Sequence, residues 1–158
     1  MGAVWLPPIA RNRWRVKNGN RSVDVTKLET IEGIGATYGE KLRAAGIGSV
    51  EALLKAGANP AGREEIREAT GIGDEFILDW VNRADLMRVR GVGEEYSDLL
   101  EWAGVDTVVE LAQRNGANLH KKILEINEEK KLVRRPPSQG MVEQWVAEAK
   151  KLGRGVFY

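Results

Sequence analysis

Two short glycine steps are the residues of this chain whose types and spacing best suit chemistry. They are Gly33 and Gly35 in the stretch "EGIG", and Gly91 and Gly93 in the stretch "RGVG". The first glycine of each step can adopt a positive φ at low cost, and the second lets the next helix begin with bare N–H groups. Because bare amides and the helix dipole both attract anions, each step is a candidate phosphate site.

The charged residues around these steps argue in two directions. Arg88 and Arg90 precede the second step and join the candidate phosphate set. Glu94 and Glu95 follow the same step, at the positions where phosphate would sit, and a third glycine turn, "TGIGDE" at 70–75, also ends in acids. We therefore expect the glycines mainly to turn the chain between helices, with only the second step remaining a phosphate candidate.

Residues for enzyme or metal chemistry are missing from the sequence. The chain has no cysteine, which excludes a thiolate metal site, and its only histidine, His120, has no evident catalytic partner. It contains no HExxH, GxSxG or P-loop motif. We therefore expect a protein that is not an enzyme and that uses no metal or cofactor.

The elements that position the glycine steps are predicted to be short helices. From Thr26 onward, apolar residues recur at helical spacing between glycine turns, and strand-like runs are missing, which predicts an all-α fold. One face of a helix carries Ile77, Trp80, Val81 and Ala84, and another carries Val142, Trp145, Val146 and Ala149; both stripes are predicted to be core. The predicted helix caps are Ser49, Asn59, Thr107 (in a capping box with Glu110), Asn118 and Ser138.

An internal repeat sets the architecture. "EGIGATYGEKLRAAGIGSVEALLKAGAN" at 32–59 matches "RGVGEEYSDLLEWAGVDTVVELAQRNGAN" at 90–118, and a looser second match places Trp80 on Trp145. The repeat predicts one unit over residues 26–87, a second over 88–152 and a tail over 153–158.

Several segments of the chain carry a family resemblance. "GREEIREATGI", "WVNRADLMRVRGVG", "VDTVVELAQRN" and "EEKKLVRRPPS" make residues from about 27 to 152 similar to a bacterial family of unknown function built from two tandem helix-hairpin-helix units. The resemblance implies the fold and says almost nothing of function. In the wider helix-hairpin-helix class, the hairpin amides bind DNA phosphates without reading sequence, with help from a nearby basic residue.

The N-terminal arm, residues 1–25, falls outside that resemblance. Asn18-Gly19 between alternating residues predicts a β-hairpin over 12–25, after an extended proline-containing segment. The first 22 residues hold no acid and five basic residues, while the rest of the chain carries a net charge of −4. The basic residues of the arm are Arg11, Arg13, Arg15, Lys17 and Arg21.

Two further basic clusters, "HKK" at 120–122 and "KKLVRR" at 130–135, allow two interpretations. They form a patch on the second unit, or they are a solvated helix end, since Glu125, Glu128 and Glu129 lie among them. The second interpretation is the more ordinary one for a run of mixed charge.

Two classes of function stay open. The first is an interaction or adaptor module, with a protein partner in a larger assembly, anchored through apolar and aromatic residues near both ends of the chain: Trp5, Leu6, Ile9, Trp14, Phe157 and Tyr158. The alternative is sequence-nonspecific binding of a nucleic-acid backbone through the glycine hairpins and the basic arm. The sequence has no apolar run of membrane-spanning length and no apolar secretory leader, so we expect no membrane insertion and a cytoplasmic location.

Overall fold

The computed structural model describes residues 25–158, and within them the regular structure is helical. The predicted all-α fold is confirmed for this part of the chain; the predicted β-hairpin lies outside it. A 3-10 turn at Leu28–Thr30 comes first. The α-helices of the described residues are α1 (Ala36–Ala44), α2 (Val50–Ala56), α3 (Pro60–Thr70), α4 (Asp74–Leu86), α5 (Glu94–Trp102), α6 (Val108–Ala112), α7 (Gly116–Lys130) and α8 (Gln139–Lys151).

The described residues divide into two compact units. The first unit runs through Ala84 and also includes Val156–Tyr158, and the second comprises Asp85–Gly155. In the first unit α3 packs against α1 and α2; in the second, α8 packs against α6 and α7, and α5 packs against α7. The chain therefore completes its first unit only after it has passed through the whole of the second.

The turns that lead into α1 and α5 are built from the same backbone hydrogen bonds. Each turn has one N–H donating to the carbonyl three residues before it, followed by a second such bond three residues later. The bonds run from Ile31 to Leu28 and from Ile34 to Ile31 (both 3.0 Å) in the first unit, and from Val89 to Leu86 (3.1 Å) and from Val92 to Val89 (3.0 Å) in the second. The repeat seen in the sequence is therefore also a repeat of backbone geometry.

Each unit has its own apolar core. The two predicted helix stripes are buried in full, which confirms them as core. Beside its stripe, the first unit buries Leu28, Ile31, Leu42, Ile47 and Leu53; the second buries Leu86, Leu99, Leu100, Leu111, Leu119 and Ile123. Burying a side chain of this size contributes about 1.5–3 kcal/mol, so these clusters are the main source of stability in each unit.

Four of the five predicted helix caps are confirmed. Ser49, Asn59, Thr107 and Ser138 each accept a backbone N–H three residues further on. The prediction that Asn118 caps a helix is wrong. α7 begins earlier, at Gly116, and its cap is Asn115, whose side chain accepts the N–H of Asn118 at 2.9 Å. The predicted capping box is only half formed, because the Glu110 carboxylate accepts the N–H of Asp106 (2.6 Å), one residue before the cap, and not that of Thr107.

Candidate functional site

Each glycine step lies against a buried tryptophan of its own unit. Gly33 has a φ of +99° and Gly91 a φ of +92°, so both need the freedom of glycine. A Cβ on Gly33 would lie 3.1 Å from Trp80 Nε1, and a Cβ on Gly91 would lie 3.3 Å from Trp145 Nε1. The missing side chain thus lets the indole edge approach the turn closely.

The tyrosine that follows each step packs on the same tryptophan. The ring centroids of Tyr38 and Trp80 are 5.1 Å apart, and those of Tyr96 and Trp145 are 5.2 Å apart. In the first unit Phe76 joins the pair, at 6.0 Å from both rings, and remains 44% exposed. Tilted aromatic pairs at this spacing stabilise a cluster beyond the area they bury, so these tyrosines hold the turns in place.

The helix N-termini behind the steps are open. Gly35 and Gly93 precede α1 and α5, and neither helix has a side-chain cap. Apart from the glycine itself and its two chain neighbours, no described atom lies within 4 Å of the position that a Cβ would take on Gly35 or Gly93. The first amides of both helices therefore lack a side-chain acceptor from the N-cap residue, and such amides are candidates for binding an anion.

Arg88 is engaged in the fold of the second unit. Its Nη1 donates to Asp85 Oδ1 and to the carbonyl of Gly153, both at 2.8 Å. Asp85 is fully buried, and its other oxygen accepts the N–H of Val108 at 2.8 Å. A buried carboxylate needs such partners, so the guanidinium of Arg88 is committed to Asp85.

Arg90 is exposed, but its backbone amide faces an acid. The backbone N–H of Arg90 donates to Glu148 Oε2 at 3.3 Å. Arg90, Gly91, Trp145 and Glu148 line one open groove, which Lys151 also reaches. A phosphate on this side of the turn would meet the carboxylate of Glu148, while the side chain of Arg90 remains available.

The segment between α7 and α8 is held at three carbonyls, which the sequence did not reveal. The buried side-chain amide of Asn127 donates to the carbonyl of Val133 (3.1 Å) and accepts its N–H (2.9 Å). Tyr96 Oη donates to the carbonyl of Arg135 at 2.9 Å. His120 Nε2 lies 3.0 Å from the carbonyl of Pro137, in a third hydrogen bond. His120 thus has a partner after all, and its role there is structural.

The basic residues of this region have different surroundings. Lys130 lies over the Trp102 ring at 4.1 Å from its centroid, and Lys131 is 4.0 Å from Glu128 in an exposed ion pair. Arg134 and Arg135 are exposed, and neither forms an ion pair with any described residue. Two guanidinium groups therefore sit unpaired on a firmly held segment.

The C-terminal anchors predicted from the sequence have a backbone role in the first unit. Val156 is buried, and the N–H of Phe157 donates to the carbonyl of Ala58 at 2.7 Å. Arg63 donates to the carbonyl of Phe157 at 2.7 Å, and burial of its guanidinium lowers the pKa of Arg63. The rings of Phe157 and Tyr158 still remain 48% and 67% exposed.

The other predicted site residues lie at the N-terminus. The five basic residues of the arm and the anchors Trp5, Leu6, Ile9 and Trp14 are outside the described residues. Within residues 25–158, no three or more His, Asp or Glu side chains are grouped so that they could hold a metal ion. In the same range, no helix has the length and apolar character needed to cross a membrane.

Comparison with known proteins gives a family and nothing more specific. The family model described as "Domain of unknown function (DUF4332)" matches residues 32–152, which is most of the chain. The protein therefore belongs to this family. No curated protein and no solved structure matches the chain.

Proposed function

We propose that this protein is a non-enzymatic adaptor, whose two units are helix-hairpin-helix units and whose N-terminal arm attaches it to a protein partner in a larger assembly. The arm combines five basic residues with Trp5, Leu6, Ile9 and Trp14. Apolar and aromatic anchors beside arginine are the residue types enriched at protein interfaces. A cytoplasmic location is part of the same proposal.

The observation that carries this choice is the chemistry around the second hairpin. Of its two arginines, Arg88 is committed to the buried Asp85, and the amide of Arg90 already faces the carboxylate of Glu148. Glu94 and Glu95 stand in the first turn of the helix behind it. A surface that binds a nucleic-acid backbone neutralises several phosphates, whereas among residues 25–158 this turn has one uncommitted arginine beside three acids.

The arm provides the direct test. The full chain and a chain that lacks residues 1–24 are tagged at the C-terminus and used to capture proteins from the source cell. We expect the full chain to capture a stoichiometric partner and the shortened chain to lose it. Circular dichroism is expected to show that residues 25–158 keep the same helical content in both chains. Capture of the same partner by the shortened chain would contradict attachment through the arm.

The alternative function is nucleic-acid backbone binding, and one observation favours it. α1 and α5 both begin without a side-chain cap, and both open onto free space at Gly35 and Gly93. An uncapped helix N-terminus suits a phosphate, and each unit has one at the equivalent position.

A further inference from the structure

An open groove in the second unit lies beside the held segment. It has a volume of about 850 Å³ and is bounded by the first turn of α5, the outer side of α7 and residues 131–136. Its apolar lining includes Tyr96, Leu124 and Leu132, and Leu124 is 40% exposed. Arg134 and Arg135 also line it.

The firm hold on residues 133–137 matters for what the groove can bind. Carbonyls at three alternate positions are fixed by side chains of α5 and α7, and the chain bends at Arg134 and Arg135 between them. An arginine side chain loses conformational entropy when it binds a partner. Here the backbone that carries the arginines is already held, so it loses little further entropy on binding. The segment therefore presents two guanidinium groups from a prepared position.

The charges of the groove select among anionic partners. Arg134 and Arg135 have no acid of their own among the described residues, and guanidinium groups bind carboxylates and phosphates with paired hydrogen bonds. Glu95, Glu128 and Lys131 also line the groove, and Lys131 lies 4.0 Å from Glu128 in an exposed ion pair. A nucleic acid has a charge on every nucleotide and would bring phosphates against these acids. A polypeptide can instead carry acidic residues opposite the arginines and none opposite Glu95 and Glu128.

We propose that this groove binds an extended polypeptide segment of the partner, in which an acidic residue that pairs with Arg134 and Arg135 lies next to an apolar residue that covers Leu124. The inference rests on the proposed function, since it supplies a second contact with a protein partner. It is independent of the arm, because every residue it uses belongs to the second unit.

The test uses the full chain and a short fluorescein-labelled peptide in which Leu and Pro alternate with Asp and Glu. Binding is measured by fluorescence anisotropy at low and moderate salt. We expect the double change Arg134→Ser and Arg135→Ser to weaken binding roughly tenfold or more, because it removes charged hydrogen-bond donors. Leu124→Ser is expected to weaken peptide binding several-fold, because it removes one apolar contact.

The matched control changes Lys121 and Lys122 to Ser. These exposed residues lie on α7 outside the groove lining, and the double change removes the same charge. An equal loss of affinity in the control would show nonspecific charge attraction and overturn the proposal, as would no binding of the peptide. A labelled poly-uridine strand that binds with the same dependence on Arg134 and Arg135 would overturn it in favour of a nucleic acid.

The arm experiment keeps this result separate from the proposed function. Partner capture that depends on residues 1–24, together with groove variants that bind the peptide like the unchanged chain, removes the groove inference alone. Partner capture that is indifferent to the arm removes the attachment proposal, whatever the peptide does.

Discussion

At the scale of single residues, the glycine steps show why one glycine of each pair is more constrained than the other. Gly91 has a positive φ and faces Trp145 Nε1, whereas Gly93 has a φ of −111° and free space around it. The first position is fixed by backbone geometry and packing. The second is open to other residues unless a ligand needs its amide.

We predict that Gly91→Ala destabilises the protein by about 2 kcal/mol, because an L-residue is strained at this φ and its Cβ crowds the indole. Gly93→Ala is the matched control and is expected to change stability by less than about 1 kcal/mol. Urea denaturation followed by tryptophan fluorescence measures both. Equal effects would show that the positive φ does not limit this turn.

At the same scale, sequence reasoning succeeded where a role depends on neighbours along the chain. Ser49, Thr107 and Ser138 act as caps because a cap needs only its own helix. Asn115 was missed because Asn118 offers the same side chain three residues later, and the sequence alone does not decide between them. The pairing of Arg88 with Gly153 spans 65 residues, and no local pattern reports such a partner.

At the scale of elements, the uncapped start of α5 is where the nucleic-acid alternative is tested. Among the described residues, the side chain of Arg90 forms no ion pair, and Arg90 precedes α5 by one turn of chain. If the hairpin contacts phosphate, its charge will appear in the salt dependence of binding as about one released counterion.

For this alternative we predict that Arg90→Glu weakens binding of a fluorescent DNA duplex. We also expect the negative slope of log K against log salt to become shallower by about one or more. Lys122→Glu, an exposed change on α7, controls for net charge. The titration is made with the full chain and with residues 25–158. Unchanged affinity of the Arg90 variant would remove the hairpin from DNA binding.

Helical periodicity explains how far the elements themselves were predictable. Stripes such as Ile77, Trp80 and Val81 repeat along one helix face, so burial follows from spacing alone. The segment over residues 131–138 has no periodicity, and it is held by Asn127, Tyr96 and His120 from elsewhere in the chain. Its basic residues were visible in the sequence, but the firm support that makes them a candidate site was not.

At the scale of the whole molecule, the return of residues 156–158 to the first unit is the main departure from the linear picture given by the sequence. The sequence suggested two successive units and a tail over residues 153–158 that carries the anchors Phe157 and Tyr158. In the structure, Val156 is buried, the backbone of Phe157 bonds to Ala58 and Arg63, and the Tyr158 hydroxyl donates to Asn82 at 3.1 Å.

We predict that removal of residues 156–158 destabilises the first unit by about 3 kcal/mol, from one lost buried valine and two or three lost hydrogen bonds. Hydrogen exchange is expected to rise around Ala58 and Asn82 and to stay unchanged in the cluster around Leu100 and Ile123. Tyr158→Phe, which removes only the hydroxyl, serves as the mild control. Uniform loss of protection in both units would show that they unfold together.

The same return of the chain has a consequence for biosynthesis. Arg63 and Phe157 are separated by 94 residues, and all of the second unit is translated between them. The second unit can therefore fold while the nascent first unit still lacks Val156, since domains generally fold as their own residues emerge. A chain released just before residue 156 is translated would therefore lack part of its first unit, although that unit is synthesised first, while its second unit would be complete.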